Sequence, residues 1–323
     1  MDQMNFKIAT TYLDVNKAVV LSDDKLLACE RFIELSNWIY EIEQLYQVFA
    51  FNVRHLVSEY QINRSSKVIT NKNTGEKVYS IEINSVTSNI ITSGACVHNI
   101  MEPFINRIYK ENIIKSEKIK KLVHKQYDED FRYRFILRLR DYIQHRDLPI
   151  CVEDGKCYLD LNQICFNRTG FRLNAKINNE SKYLIERMHD EKNNVARLEY
   201  YNTLLTFVYN VSKLYYTYYK EINDEVYNTQ LNFNKVKYNT PGIIQTAEDG
   251  VEYYIFKTNN REGNPIRAFS TEQSLKKLYN GYKKVANIDF NAIKKIYLNE
   301  EETNKDYLLK LIREMNSNNL IIY

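Results

Sequence analysis

Between Leu198 and Ile222 the residues Leu198, Tyr201, Leu205, Val208, Val211, Tyr215, Tyr219 and Ile222 recur at three- and four-residue steps. That is the period of one buried helix face, and it predicts the longest helix of the chain, near Asn194 to Val226. A helix this long is stabilised mainly by packing its apolar stripe against other elements, so the chain has to build helical layers around it. Its doubled tyrosines, Tyr200-Tyr201, Tyr215-Tyr216 and Tyr218-Tyr219, have faces on which bases can stack. Tyrosine in an amphipathic helix is more often a core residue with a wet hydroxyl.

Two more segments carry the same period. Asp23 or Asp24 opens a helix holding Leu27, Phe32, Leu35, Trp38, Ile39, Ile42 and Leu45. A second helical stretch, from about Ile100 to His124, holds Met101, Phe104, Ile105, Ile108, Ile113 and Ile119, with Pro103 expected near its first turn. A short, strongly patterned helix follows. Asp128-Glu129-Asp130 is its start signal: Asp128 can cap, and an acidic first turn suits the positive end of the dipole. Phe131, Phe135, Leu139 and Tyr142 or Ile143 mark its buried face. Pro149 disfavours helix at Leu148, so this helix stops at or just after His145. The connection before it is very short, which predicts antiparallel packing against the preceding helix.

The end of that helix carries the chemistry. Arg140 supplies a permanent cation whose planar fork suits phosphate oxygens, and His145 can exchange a proton near neutral pH. Together such groups can cleave RNA without a metal. Histidine takes the proton of a ribose 2′-hydroxyl while arginine stabilises charge on the phosphorane. At about 100° per residue, Arg140 and His145 lie roughly 140° apart around the helix, while Asp141 and His145 share a face. Arg134, Arg138, Asp141 and His145 form a nearly straight polar stripe. A cleft using both Arg140 and His145 has to wrap the helix end or draw on two chains.

The run Leu139-Arg140-Asp141-Tyr142-Ile143-Gln144-His145, followed by Leu148-Pro149, resembles the Arg-polar-x(3–5)-His signature of the HEPN superfamily of nucleotide-binding helical domains. It looks like the version found in uncharacterised bacterial and phage-defence members. The resemblance covers this helix and, more loosely, residues 85–228. It implies a mainly α fold: a HEPN-like antiparallel helical bundle with small β-hairpins and a C-terminal α+β accessory module. It also implies a metal-independent endoribonuclease, a toxin or abortive-infection effector, that dimerises so that two motifs face one cleft. Arg140 and His145 are then the catalytic pair and Asp141 the polar position after the arginine, where asparagine is commoner; Arg138 is a supporting cation. An antitoxin or trigger protein is the expected further partner. Non-catalytic members with a similar helix exist, so the alternative is a helical RNA- or protein-binding regulatory protein.

Charge and composition set further bounds. The net charge is +4, from 45 basic and 41 acidic residues, too small to announce a nucleic-acid protein by itself. Local charge says more: Lys110, Lys115, Lys118, Lys120, Lys121 and Lys125 crowd the stretch before the motif helix. They read as a solvated face or as a phosphate-tracking surface, with Lys118, Lys120, Lys121 and Lys125 the RNA-binding candidates. Eight glycines in 323 residues leave little material for glycine-rich phosphate loops. The five cysteines lack zinc-ligand spacing and read as reduced thiols, so neither metal nor other cofactor is expected. His55, His98, His124 and His189 lack partners at site-like spacing, though His98 and His124 can approach the cleft if their helices pack on the motif helix. No run is long and apolar enough for a membrane span, and no signal peptide is visible, so a cytoplasmic protein is expected.

The β elements are fewer. Val68 to Ile83 reads as a hairpin about Asn73-Thr74-Gly75, and Ile150-Cys151-Val152 with Cys157-Tyr158-Leu159 as a hairpin about Glu153-Asp154-Gly155. Val251 to Lys257 reads as a strand, and Ser270-Thr271-Glu272-Gln273 as a capping box for a short helix. Two more short helices are expected near Phe290–Tyr297 and Lys305–Met315. Three segments result: an N-terminal α+β part (1–84), the helical bundle (85–228) and the accessory module (229–323).

Overall fold

The computed structural model describes residues 6–9, 19–62, 68–145, 148–166, 179, 197–239, 252–257 and 267–270. Helix dominates: α1 (Asp23–Glu59), α2 (Ser80–Ile108), α3 (Ile113–Glu129), α4 (Phe131–His145), the short α5 (Leu161–Phe166) and α6 (Tyr200–Asn239). The strands are β1 (Phe6–Ala9), β2 (Val19–Leu21), β3 (Tyr60–Ile62), β4 (Ile69–Asn71), β5 (Ile150–Glu153), β6 (Lys156–Asp160), β7 (Arg197–Glu199), β8 (Glu252–Lys257) and β9 (Arg267–Ser270). The expected capping-box helix and the helices near 290–297 and 305–315 lie outside the described residues. The chain divides into two compact units, one formed by Met1–Glu43 with Tyr219–Asn287, the other by Gln44–Tyr218 with Ile288–Tyr323.

In the first unit an antiparallel sheet runs in the order β2-β1-β8-β9. Lys7 sits opposite both Val20 and Phe256, so β1 is a central strand. The start of α1 packs on the last turns of α6: Phe32 stacks on Phe233 at 4.1 Å. An ion pair, Arg31 to Glu225 at 2.9 Å, closes the same seam.

The second unit is a helical core built from the rest of α1 and from α2, α3, α4 and the first half of α6. Tyr46 stacks on Tyr215 at 3.8 Å and donates its hydroxyl to Ser212 Oγ at 3.1 Å. Phe49 meets Phe207 edge-on at 6.2 Å, and Phe104 meets Tyr218 at 4.9 Å. Of the α6 tyrosines, Tyr200, Tyr201, Tyr215 and Tyr218 are buried in this core. A small sheet, β5-β6-β7, and the β3–β4 pair complete the unit.

Several boundaries differ from the sequence expectation. Residues 80–83 open α2 and do not extend a second hairpin arm; the pairing across the turn is short, with Thr70 opposite Lys77 and the Asn71 and Val78 N–H groups donating to Glu76 O and Ile69 O. Glu82 reaches back to the Tyr79 N–H at 3.1 Å, which closes the first turn of a helix. Pro103 sits near the end of α2, not in a first turn. The carbonyl it cannot bond belongs to Asn99, which is exposed, so water can satisfy it. The chain breaks at 109–112, where Asn112 caps α3 through Lys115 N at 3.0 Å. Asp128 belongs to α3; the cap of α4 is Asp130, whose carboxylate accepts from Arg132 N at 3.0 Å and Tyr133 N at 3.3 Å. The longest helix begins later and runs further than expected, because Arg197–Glu199 is claimed by pairing with β6.

Candidate functional site

Helix α4 is held in place from three sides. Its stripe of Phe135, Leu139 and Tyr142 is buried, as the spacing required. At its start, Asp130 Oδ2 accepts from Asn210 Nδ2 at 3.0 Å, and Gln126 donates to the Asn210 backbone carbonyl and to its Oδ1. Arg134 is 4% exposed, and its guanidinium donates to the carbonyls of Tyr127 and Asp128 at the end of α3. Arg134 is thus buried, whereas Arg138 of the same expected polar stripe is exposed. A long cation is buried there because the last carbonyls of α3 need donors.

Beyond its end, the chain is fixed by Asn84 of α2, which sequence reasoning did not single out. Asn84 Nδ2 donates to Ile150 O at 2.8 Å and its Oδ1 accepts from Ile150 N at 2.9 Å. A single amide thus copies a β-ladder pair and anchors β5 five residues after His145. Both residues are buried, so Asn84→Leu removes the side-chain partner of the Ile150 N–H and leaves its C=O with Ser80 Oγ. The expected cost is about 1–3 kcal/mol in urea unfolding, with loss of hydrogen-exchange protection at the Ile150 amide. Unchanged protection of that amide would show that the bond pair does not hold the strand.

Within this frame Arg140 is half-buried. Its Nε is shut off from solvent and lies 3.4 Å from Asp141 Oδ1, a charge contact without hydrogen-bond alignment. His145 is the last residue of α4, in agreement with the stop signal at Leu148-Pro149. In a regular helix it stands about 7.5 Å along the axis and roughly 140° around from Arg140. Arg138, by contrast, is exposed and falls within about 20° of the His145 direction, two turns earlier. Its Nε donates to Tyr127 Oη at 3.3 Å.

The Arg138 side of the helix meets α2 and α3. His98 Nδ1 is 2.8 Å from Tyr133 Oη, and its ring centroid is 5.9 Å from that of Tyr127. Burial, then the Arg138 and His124 charges, push the His98 pKa down to about 4. Burial, reinforced by Tyr127 and Asp130, raises the Tyr133 pKa and keeps its phenol protonated. Of the lysine candidates, Lys118, Lys121 and Lys125 are exposed along one side of α3, whereas Lys120 is paired with Glu117 at 2.7 Å. Among the described residues no group of three His, Cys, Asp or Glu side chains is arranged to hold a metal ion. Nor is any described helix long and apolar enough to cross a membrane.

Comparison of the chain with protein-family models, with curated proteins and with solved structures gave no match.

Proposed function

We propose that this protein is a metal-independent endoribonuclease of the HEPN type, acting in the cytoplasm as a toxin or phage-defence effector. What supports the reading is the half-buried Arg140 on a helix that is anchored by Asp130, Arg134 and Asn84 and that ends at His145. Catalysis by positioning and charge stabilisation needs groups that do not reorganise when charge develops. His145 takes the 2′-hydroxyl proton, O2′ attacks the phosphorus, and Arg140 faces the charge that gathers on the phosphoryl oxygens. The P–O5′ bond breaks and O5′ takes a proton from water while the imidazolium returns its proton to solvent, leaving a 2′,3′-cyclic phosphate and a 5′-hydroxyl. Asp141 holds Arg140 at its Nε side, and Arg138 with Lys118, Lys120, Lys121 and Lys125 supplies a cationic approach for the strand.

A homodimer fits this chemistry, because two copies of the helix end can face one cleft although a single copy spreads Arg140 and His145 apart. In support, Gln144 is exposed and Leu148, just past the helix, is an exposed apolar residue at 44%. Tyr79 and Ile81 are also exposed, at the start of α2, which Ser80 and Asn84 tie to the same Ile150. Exposed apolar side chains near the helix end are what an association surface needs.

The test is product chemistry. RNA should be cut to 2′,3′-cyclic and 5′-hydroxyl ends in the presence of EDTA, and the 2′-deoxy substrate should survive. Cutting of DNA, or loss of all cleavage in chelator, would rule the mechanism out. One observation favours a second reading, a non-catalytic helical RNA- or protein-binding regulator: the Arg140–Asp141 contact is also what a structural cation makes. Growth arrest by the wild-type chain but not by His145→Ala separates the two.

A further inference from the structure

A second polar centre lies away from Arg140, between α2, α3 and α4. His98 is held by Tyr133 at Nδ1, and Tyr127 bridges outward, its ring 5.9 Å from His98 and its hydroxyl 3.3 Å from Arg138 Nε. One turn before Tyr127, His124 Nε2 stands 3.8 Å from Glu102 Oε2, and Glu102 is one turn after His98 on α2. The titratable and charged groups around His98 are thus Glu102 on its own helix, His124 and Tyr127 on α3, and Tyr133 and Arg138 on α4. With His98 itself, three of these side chains can carry positive charge, against one carboxylate, and that carboxylate is half-exposed beside His124.

We propose that Arg138, His124 and His98 form a seat for one phosphodiester of a single-stranded nucleic acid. Arg138 offers a permanent guanidinium at the surface, and His124 a second exposed donor. His98 lies behind them as a half-buried imidazole whose pKa is lowered by burial first and then by the Arg138 and His124 charges. An anion seated among the three offsets the charge part of that effect and so favours proton uptake by His98 as a third donor. Tyr133 fixes the ring so that this happens without reorientation. Neighbouring Lys121 and Lys125, exposed on α3, extend the seat along the strand direction. The seat deepens the endoribonuclease proposal as its substrate-holding subsite, but its binding chemistry does not depend on cleavage.

The test uses the full-length chain with labelled histidines. Its ring resonances are followed against pH, with and without inorganic phosphate, and then with a short oligodeoxythymidylate that has no 2′-hydroxyl to attack. Both ligands are expected to shift His98 and His124 and to raise the His98 midpoint by about one pH unit or more, as a nearby anion does. Arg138→Gln, which removes an exposed side chain and leaves the core intact, should weaken oligonucleotide binding about tenfold or more, the size of a lost charge-assisted bond. A His98 midpoint indifferent to both ligands overturns the seat. Equal binding by Arg138→Gln does so as well. A response to phosphate alone overturns the nucleic-acid assignment and leaves a small-anion site. Binding of the oligonucleotide by a chain that never cuts RNA upholds the seat while the endoribonuclease reading fails.

Discussion

His145→Ala is expected to lower RNA cleavage by about 10²–10⁴-fold, the range of a lost general base, and Arg140→Ala by about 10²–10³-fold. Neither variant should move the melting temperature by more than about 2 °C. Arg140 makes a charge contact to half-exposed Asp141, and an exposed pair of that kind contributes about 0–1 kcal/mol. The packed stripe of Phe135, Leu139 and Tyr142 is left untouched by either change. Unfolding of both variants, measured by circular dichroism, would mean the pair is structural. Mixing the two inactive chains adds a sharper measurement. If the cleft draws its arginine from one subunit and its histidine from the other, each mixed dimer regains one of its two sites, since a two-fold interface duplicates each contact. No recovery in a verified mixed dimer places both residues of each site on one chain.

How far the sequence could lead is clearest at the turns and caps. The β5–β6 hairpin was legible because Asp154 and Gly155 both take positive φ, 52° and 77°, which an Asp-Gly pair tolerates and most pairs do not. The same kind of alternation misled at Tyr79, Ile81 and Ile83. In the structure Tyr79 and Ile81 are exposed at 64% and 72%, and only Ile83 joins the core, because a helix and not a strand begins there. The stop at His145 was readable from Pro149, whose effect on the preceding residue is local. The role of Arg134 was not readable, since it depends on carbonyls released by the end of another helix. Asn84 and Asn210 escaped for the same reason: their partners are 66 and 80 residues away, and nothing in an Asn-rich chain marks them. The grouping of His98 with Arg138 needs three helices to be packed first.

That packing rests on one close approach, and disturbing it should produce the largest loss of stability in the molecule's helical core. Gly94, in the middle of α2, has no Cβ; one built there would lie 2.6 Å from Cε1 and Cζ of Phe207 and 3.0 Å from Phe49. Glycine inside a helix costs about 1 kcal/mol relative to alanine, so its presence signals that space, not backbone conformation, decides the residue. Phe207 cannot retreat: it is fully buried, edge-on to Phe49 at 6.2 Å and tilted against Tyr133 at 5.9 Å. Gly94→Ala should therefore destabilise by about 1–2 kcal/mol despite its better helix propensity, and Gly94→Val by about 3 kcal/mol or more, as overpacked cores do. Urea unfolding measures both. Phe207→Leu in the Gly94→Ala background should restore part of the loss, because the smaller side chain yields the missing volume. A Gly94→Ala protein more stable than wild type would show that α2 and α6 do not approach this closely. The consequence reaches the surface as well: Phe207 bears on Tyr133, and Tyr133 holds His98. Gly94→Ala should shift the His98 ring resonances even where the chain stays folded, whereas a core change that leaves Phe207 in place should not.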